Sequence, residues 1–156
     1  MTQLLTTSPT GDTGKVAAPL QATLVELIDL SLQAKQAHWN IVGPGFGGIH
    51  LFLDKLTDQF RDWYDEVAER LAAIGVSPDG RTATVAASSS LEPLAAGQIR
   101  DQEVLALFDA RLRLVADRIR ARLEPVGEHD LVSQDLLIGI VQGLEKQDWM
   151  LRALRA

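Results

Sequence analysis

The sequence contains no cysteine, which excludes a disulfide framework, thiolate chemistry and any cysteine-ligated metal site. A metal would have to be held by His, Asp or Glu, and there are only three histidines. Base is also in short supply. Fifteen Lys and Arg stand against 21 Asp and Glu, a net charge of −6, the wrong sign for a surface that grips nucleic acid all over. No stretch approaches the roughly 20 consecutive apolar residues needed to span a bilayer. The N-terminus has no basic start followed by an apolar run, so the expectation is no membrane and a cytoplasmic location.

What is present suits one globular domain: 156 residues, 46% apolar and 23% charged, enough side chain for a sizeable core. Residues 1–19, opening MTQLLTTSPTGDTGKV, are rich in Thr, Ser, Gly and Pro and show no periodicity, and they are expected to form a flexible tail. Residues 20–156 are expected to form the domain. Apolar residues at helical spacing (Leu20, Leu24, Leu27, Ile28, Leu32) predict a first helix from about Leu20 to Val42. The glycine-rich run Gly43–Gly48, with Pro44, breaks it. A second helix is predicted from Ile49 to Ile74, with Gly75 as its C-terminal stop. A long crossover follows, with a short helix expected near Leu91–Ala96. A third helix is predicted over Arg100–Leu123, ended by Pro125 and Gly127. A fourth runs from about Ser133, capped by Asp130 or Ser133. The fold class is all-α: a four-helix bundle with one long crossover, the layout of ferritin-like folds.

The chemistry concentrates on the second helix. At about 100° per residue, with His50 at the origin, Asp54, Asp65 and Glu69 fall within about 100° of one another on one face. The apolar residues lie roughly opposite, so this face meets solvent or another chain. Segment 54–69 carries six carboxylates and only two bases, Lys55 and Arg61. An acidic solvated face is the ordinary explanation of such a run. Two features point further: the i,i+4 pairs His50/Asp54 and Asp65/Glu69, and His38 near the end of the first helix. Imidazole with carboxylate suits iron, manganese or zinc better than calcium. His50 and Glu69 are about 28 Å apart along a straight helix, so one metal cannot touch both. Each chain carries two half-sites, and a two-fold axis crossing this helix would build two identical shared sites. No Glu-x-x-His, the usual mark of an intrabundle di-iron site, occurs.

The segments AKQAHWNIVGPGFGGIHLFLDKL and DEVAERLAAIG closely resemble the signature of the Dps family, DNA-binding proteins from starved cells, also called mini-ferritins. The spacing His-x11-His-x3-Asp-x10-Asp-x3-Glu is met by His38, His50, Asp54, Asp65 and Glu69, with Trp39-Asn40 following the first histidine. The match weakens over the crossover and third helix and returns at DLVSQDLL and EKQDWMLRA. The resemblance implies a hollow shell of twelve identical subunits. Such a shell oxidises Fe(II), preferably with hydrogen peroxide but also with oxygen, and stores the ferric product. His38, His50 and Asp54 would come from one subunit, and Asp65 and Glu69 from its two-fold partner. Glu69 and Asp54 would hold the tighter iron, with the histidines positioning the second iron or its water. Lys35, a turn before His38, is a candidate supporting group. Trp39 and Trp63 are candidate radical quenchers, with packing the commoner role.

The resemblance further implies acidic three-fold pores near the start of the fourth helix, for which Glu128, Asp130 and Asp135 are candidates, helix capping being the competing role. His129 is expected at the surface. Family members that condense DNA often use lysine-rich tails, which this chain does not supply, so direct DNA binding is expected to be weak. Arg111, Arg118 and Arg122 lie along one line of the third helix where phosphates could touch. The pairs Arg113/Asp117 and Arg120/Glu124 favour a salt-bridged outer helix. The alternatives to a ferroxidase are a nucleoid-associated DNA-binding shell and a homodimeric helical bundle that binds zinc.

Overall fold

A computed structural model of the chain describes residues 11–155. The element order is α1 (Gly11–Asn40), β1 (Ile41–Val42), α2 (Phe46–Ala73), α3 (Thr82–Ser88), β2 (Ile99–Arg100), α4 (Asp101–Gly127) and α5 (Leu131–Arg155). α1 packs along α2 and α4 along α5, and the two hairpins close on a shared interior, giving the expected helical bundle. Leu20, Leu27, Leu53, Phe60, Phe108, Leu112 and Leu144 are fully enclosed there. Each such side chain contributes about 1.5–3 kcal/mol through removal from water.

The first helix starts well before the expected Leu20. Val16 and Ala17 continue the buried stripe of Leu20 and Leu24 one turn earlier, and their burial carries the helix through Pro19. The expected tail therefore shortens: residues 11–19 are helical, and residues 1–10 lie outside the described part of the chain. α1 also stops at Asn40 rather than Val42, because Ile41 and Val42 leave the helix to pair in parallel with Ile99 and Arg100.

α2 begins at Phe46, taking in Gly47 and Gly48, and ends as expected at Gly75. Gly75 has φ +81°, its N–H bonds the Ala72 carbonyl at 3.0 Å, and Val76 N–H bonds the Leu71 carbonyl at 2.9 Å. This is a Schellman stop, for which a residue without Cβ is preferred.

The crossover helix is α3 at Thr82–Ser88, not at Leu91–Ala96. Val85 is buried on this segment, whose start is organised by Asp79, which accepts bonds from Arg81 and Thr84. Those bonds hold the Asp79 carboxyl far below the usual carboxylate range. Gln21 of α1 grips Asp79 by both its backbone groups, at 2.8 and 2.9 Å.

α4 runs through Pro125 to Gly127 instead of ending at Leu123. Val126 is fully buried and Gln134 donates to the Leu123 carbonyl at 3.0 Å, offsetting the bond that proline cannot make. α5 starts at Leu131, two residues before the expected Ser133, with Asp130 as its cap: Oδ1 accepts Val132 N–H at 3.2 Å.

Candidate metal centre

α2 presents its apolar residues, Ile49, Phe52, Leu53, Leu56, Phe60, Trp63, Val67 and Leu71, to the core. The opposite face carries His50, half-exposed Asp54, and exposed Asp65 and Glu69. The helix is unbroken from Phe46 to Ala73, so its two ligand-capable ends stay about 28 Å apart, at 1.5 Å per residue.

At the N-terminal end the structure brings His38, His50 and Asp54 together. The imidazoles stack with centroids 3.6 Å apart and planes 21° from parallel. Each ring is bound to the other residue's backbone: His38 Nδ1 lies 2.9 Å from the His50 carbonyl, and His50 Nδ1 lies 2.9 Å from the His38 carbonyl. A carbonyl oxygen only accepts, so both Nδ1 atoms carry a proton, and it is the Nε2 atoms that hold the lone pair when the rings are neutral. That tautomer is the one a histidine metal ligand needs, with its other nitrogen tied to a carbonyl. Phe46 tilts over the His50 ring at 4.8 Å.

Asp54 lies one turn beyond His50, with Oδ1 3.8 Å from His38 Nδ1. Lys35 binds the same oxygen. This hydrogen bond outweighs the opposing effect of burial and, with lesser electrostatic help from its neighbours, holds the Asp54 carboxyl below the usual carboxylate range. Lys35 therefore stands where the notion of a supporting group required it, against a ligand-capable carboxylate.

At the other end no hydrogen bond or ion pair holds Asp65 or Glu69 among the described residues. The adjacent Arg70 turns away to α5, bonding Ser133 Oγ at 2.9 Å and Asp130 Oδ2 at 2.6 Å. No group of three or more His, Asp or Glu side chains arranged for one metal exists among the described residues. The five sequence-derived candidates thus divide three and two.

The remaining candidates sort by their contacts. Trp63 is 7% exposed and packs against Phe60 in the core, whereas Trp39 is 68% exposed. Asp130 is engaged as helix cap and partner of Arg70; burial works to raise its pKa, but the bonds from Arg70 and Ser133 outweigh it and the net shift is downward. Glu128 and Asp135 are exposed, and His129 lies at the surface 4.0 Å from Asp12.

The arginine line of α4 does not face outward as expected. Arg118 and Arg122 both grip buried Glu26 of α1, at 3.0 and 2.6 Å, and Arg111 is buried with one bond to the Glu92 carbonyl. None of the three is free for phosphate. The expected i,i+4 pairs also differ: Arg113 reaches back to Asp109 on the preceding turn of α4 and across to Asp148 of α5, and Arg120 pairs with Glu145 of α5. No helix among the described residues is long and apolar enough to cross a membrane.

The family model of the ferritin-like domain matches residues 17–156. The chain is 38% identical over 138 residues to the DNA protection during starvation protein of Mycolicibacterium smegmatis, covering 88% of this chain and 75% of that one. It is equally similar, at 38% over 138 residues and 73% of the relative's length, to a protein named the fine tangled pili major subunit of Haemophilus ducreyi. The solved structure of Dps92 from Deinococcus radiodurans superposes with a TM-score of 0.90 at 36% identity, covering 92% of this chain and 87% of that one. With the bundle, the long crossover and the split histidine and carboxylate pairs already in view, these matches show that the chain belongs to the Dps family of ferritin-like proteins.

Proposed function

We propose that the protein is a ferroxidase and iron store that oxidises Fe(II), preferably with hydrogen peroxide and otherwise with oxygen, and deposits the ferric product inside a closed shell of twelve chains. The observation that carries this reading is the division of α2: the stacked His38/His50 pair with Asp54 toward one end and Asp65/Glu69 toward the other, Glu69 about 28 Å from His50. Two chains crossing at a two-fold axis, α2 against α2, would close each cluster with the other chain's carboxylates.

Iron is the substrate, and the donors fit it. Carboxylates are hard ligands and imidazole a borderline one, a set that accepts both Fe(II) and Fe(III). In this reading Asp54 and the partner's Glu69 bind the tighter iron, and His38 and His50 offer Nε2 to the second iron or to its water. Each of two Fe(II) ions gives up one electron, and peroxide takes both as its O–O bond breaks. Lys35 must leave Asp54 for iron to take that oxygen, so in this reading the substrate replaces a cation already held by that carboxylate. Removing Fe(II) and peroxide together would protect a cell from oxidative damage.

Iron would enter near the start of α5, past Glu128 and Asp135, with Asp130 contributing less because its carboxylate is already paired. The protein would act in the cytoplasm. A nucleoid-associated DNA-binding role is the second reading, favoured by the name DNA protection during starvation protein that its relatives carry. The −6 charge and the internal pairing of Arg118 and Arg122 oppose direct phosphate contact.

The test is anaerobic addition of Fe(II) to the purified protein followed by peroxide, with light scattering on the same sample. Ferric absorbance that rises on peroxide addition, from particles near twelve times 17.0 kDa, is expected. A stable monomer, or oxidation no faster than in buffer, would overturn the reading. A robust shift of plasmid DNA at about 0.15 M salt, the physiological level, would favour the second one.

A further inference from the structure

The two histidines sit on either side of a short loop, and that loop is held from the far end of the crossover. Ile41 and Val42 pair with Ile99 and Arg100, which brings the next residue, Asp101, against the loop. Asp101 is 7% exposed. Its Oδ2 accepts the Gly45 N–H at 2.7 Å, and its Oδ1 accepts the Gln102 N–H at 2.8 Å. Gly45 is the cap residue of α2. Gly43 is pressed onto the same carboxylate: its φ is +134°, and a Cβ there would lie 2.6 Å from the Asp101 carboxyl carbon. Only glycine fits that approach.

The start of α2 decides where His50 stands relative to His38. Both imidazole bonds run between the two elements, each from a ring to the other residue's backbone at 2.9 Å. A displacement of α2 against α1 disturbs both bonds at once. We propose that Asp101 is a positioning residue for the His38/His50 pair: its buried carboxylate fixes Gly45, and through it the register of α2 on α1 that points each Nδ1–H at a carbonyl and leaves each Nε2 for iron. For the iron step this rests on the ferroxidase reading; the histidine geometry stands without it.

Removing the carboxylate strands the Gly45 N–H and opens space beside the loop. Three variants probe this: Asp101→Ala, Asp101→Asn, which keeps one carbonyl oxygen for Gly45, and Gly43→Ala, which pushes on the carboxylate from the loop side. Glu26→Gln, which weakens the buried contact to Arg118 and Arg122, serves as a control that destabilises the bundle elsewhere. The first readout needs no iron: diethylpyrocarbonate modification of the assembled, metal-free protein, mapped by mass spectrometry, with surface His129 as internal standard. His38 and His50 should react faster relative to His129 in Asp101→Ala and Gly43→Ala, less so in Asp101→Asn, and unchanged in Glu26→Gln. The second readout is the Fe(II) concentration giving half-maximal peroxide-dependent oxidation. It should rise about tenfold in Asp101→Ala, the lower end of what losing an indirect ligand partner costs, and stay put in Glu26→Gln.

If assembled Asp101→Ala keeps wild-type histidine reactivity and half-saturation, the proposal is wrong. It is equally wrong if Glu26→Gln, at a matched loss of Tm, exposes the histidines as much. Should Asp101→Ala fail to assemble, Asp101→Asn and Gly43→Ala decide by the same two readouts. If wild-type protein oxidises no iron while the Asp101 variants still unmask the histidines, the ferroxidase reading fails and the positioning role stands.

Discussion

The two ends of α2 carry the same kind of side chain and are built in opposite ways. At His50 and Asp54 the side chains are held in place: the Nδ1 atom of each ring tied to a carbonyl, Lys35 on Asp54, and a carboxylate clamping the loop before them. At Asp65 and Glu69 the side chains are exposed, Arg61 one turn before is paired with Asp58, and Arg70 is occupied by Ser133 and Asp130. Among the described residues no cation pairs with these two carboxylates. The histidine pair, by contrast, is fixed by backbone carbonyls, with its nearest carboxylate held by Lys35. The difference makes sense if each end completes the other across two chains.

Three perturbations sharpen the contrast. The largest effect is expected where both ends depend on one rigid rod. Phe60 lies midway along α2, fully enclosed. Phe60→Ala should cost about 3–5 kcal/mol by cavity formation, seen as a lower denaturant midpoint and a shell that dissociates more readily.

Next comes the contrast itself. The double change Asp65→Ala with Glu69→Ala should leave Tm nearly unchanged, within about 0.5 kcal/mol as for ordinary surface substitutions. Iron oxidation should nonetheless fall by about a hundredfold, no less than the upper range for losing an indirect ligand partner. A large loss of stability with activity retained would reverse the roles assigned to the two ends.

The smallest effect concerns the anchor that keeps Arg70 away from Glu69. Asp130→Ala removes the α5 cap and should cost about 1 kcal/mol at neutral pH. The folded Asp130 pKa lies below its ordinary value, so its stabilisation is present above the unfolded pKa of about 3.9 and is lost as pH falls through the folded value. The wild-type protein and Asp130→Ala should therefore differ in Tm at pH 7 and converge in strong acid.

How much of this could be read from the sequence depends on the range of the forces involved. The helical period survives because burial of Leu53, Phe60, Leu112 or Leu144 needs only a regular stripe. Element ends were harder. Val16 and Ala17 pull Pro19 into α1, and Val126 pulls Pro125 into α4, because buried apolar contact outweighs a missing backbone hydrogen bond. β1 and β2 are two residues each, too short for any alternation to show. α3 forms where Val85 reaches the core and Asp79 organises the preceding turn, a decision made by α1 rather than by the crossover's own composition. The arginines of α4 found partners 92 and 96 residues away in Glu26, which local spacing cannot anticipate. For the candidate site, spacing along one helix put His50, Asp54, Asp65 and Glu69 on a common face. The tautomer of the histidines and the clamp by Asp101 belong to contacts across the chain, and only Gly43 and Gly45 hinted that something lies close to that loop.

Whether a working site takes its ligands from two chains is decided by mixing variants. One variant carries His50→Ala with Asp54→Ala, the other Asp65→Ala with Glu69→Ala. Each alone should oxidise iron poorly. After unfolding, mixing in equal amounts and refolding, about half the dimers pair unlike chains, and one of the two sites in each such dimer regains every ligand. About a quarter of wild-type activity should return. Properly assembled mixed shells that stay as inactive as either parent would contradict the shared site.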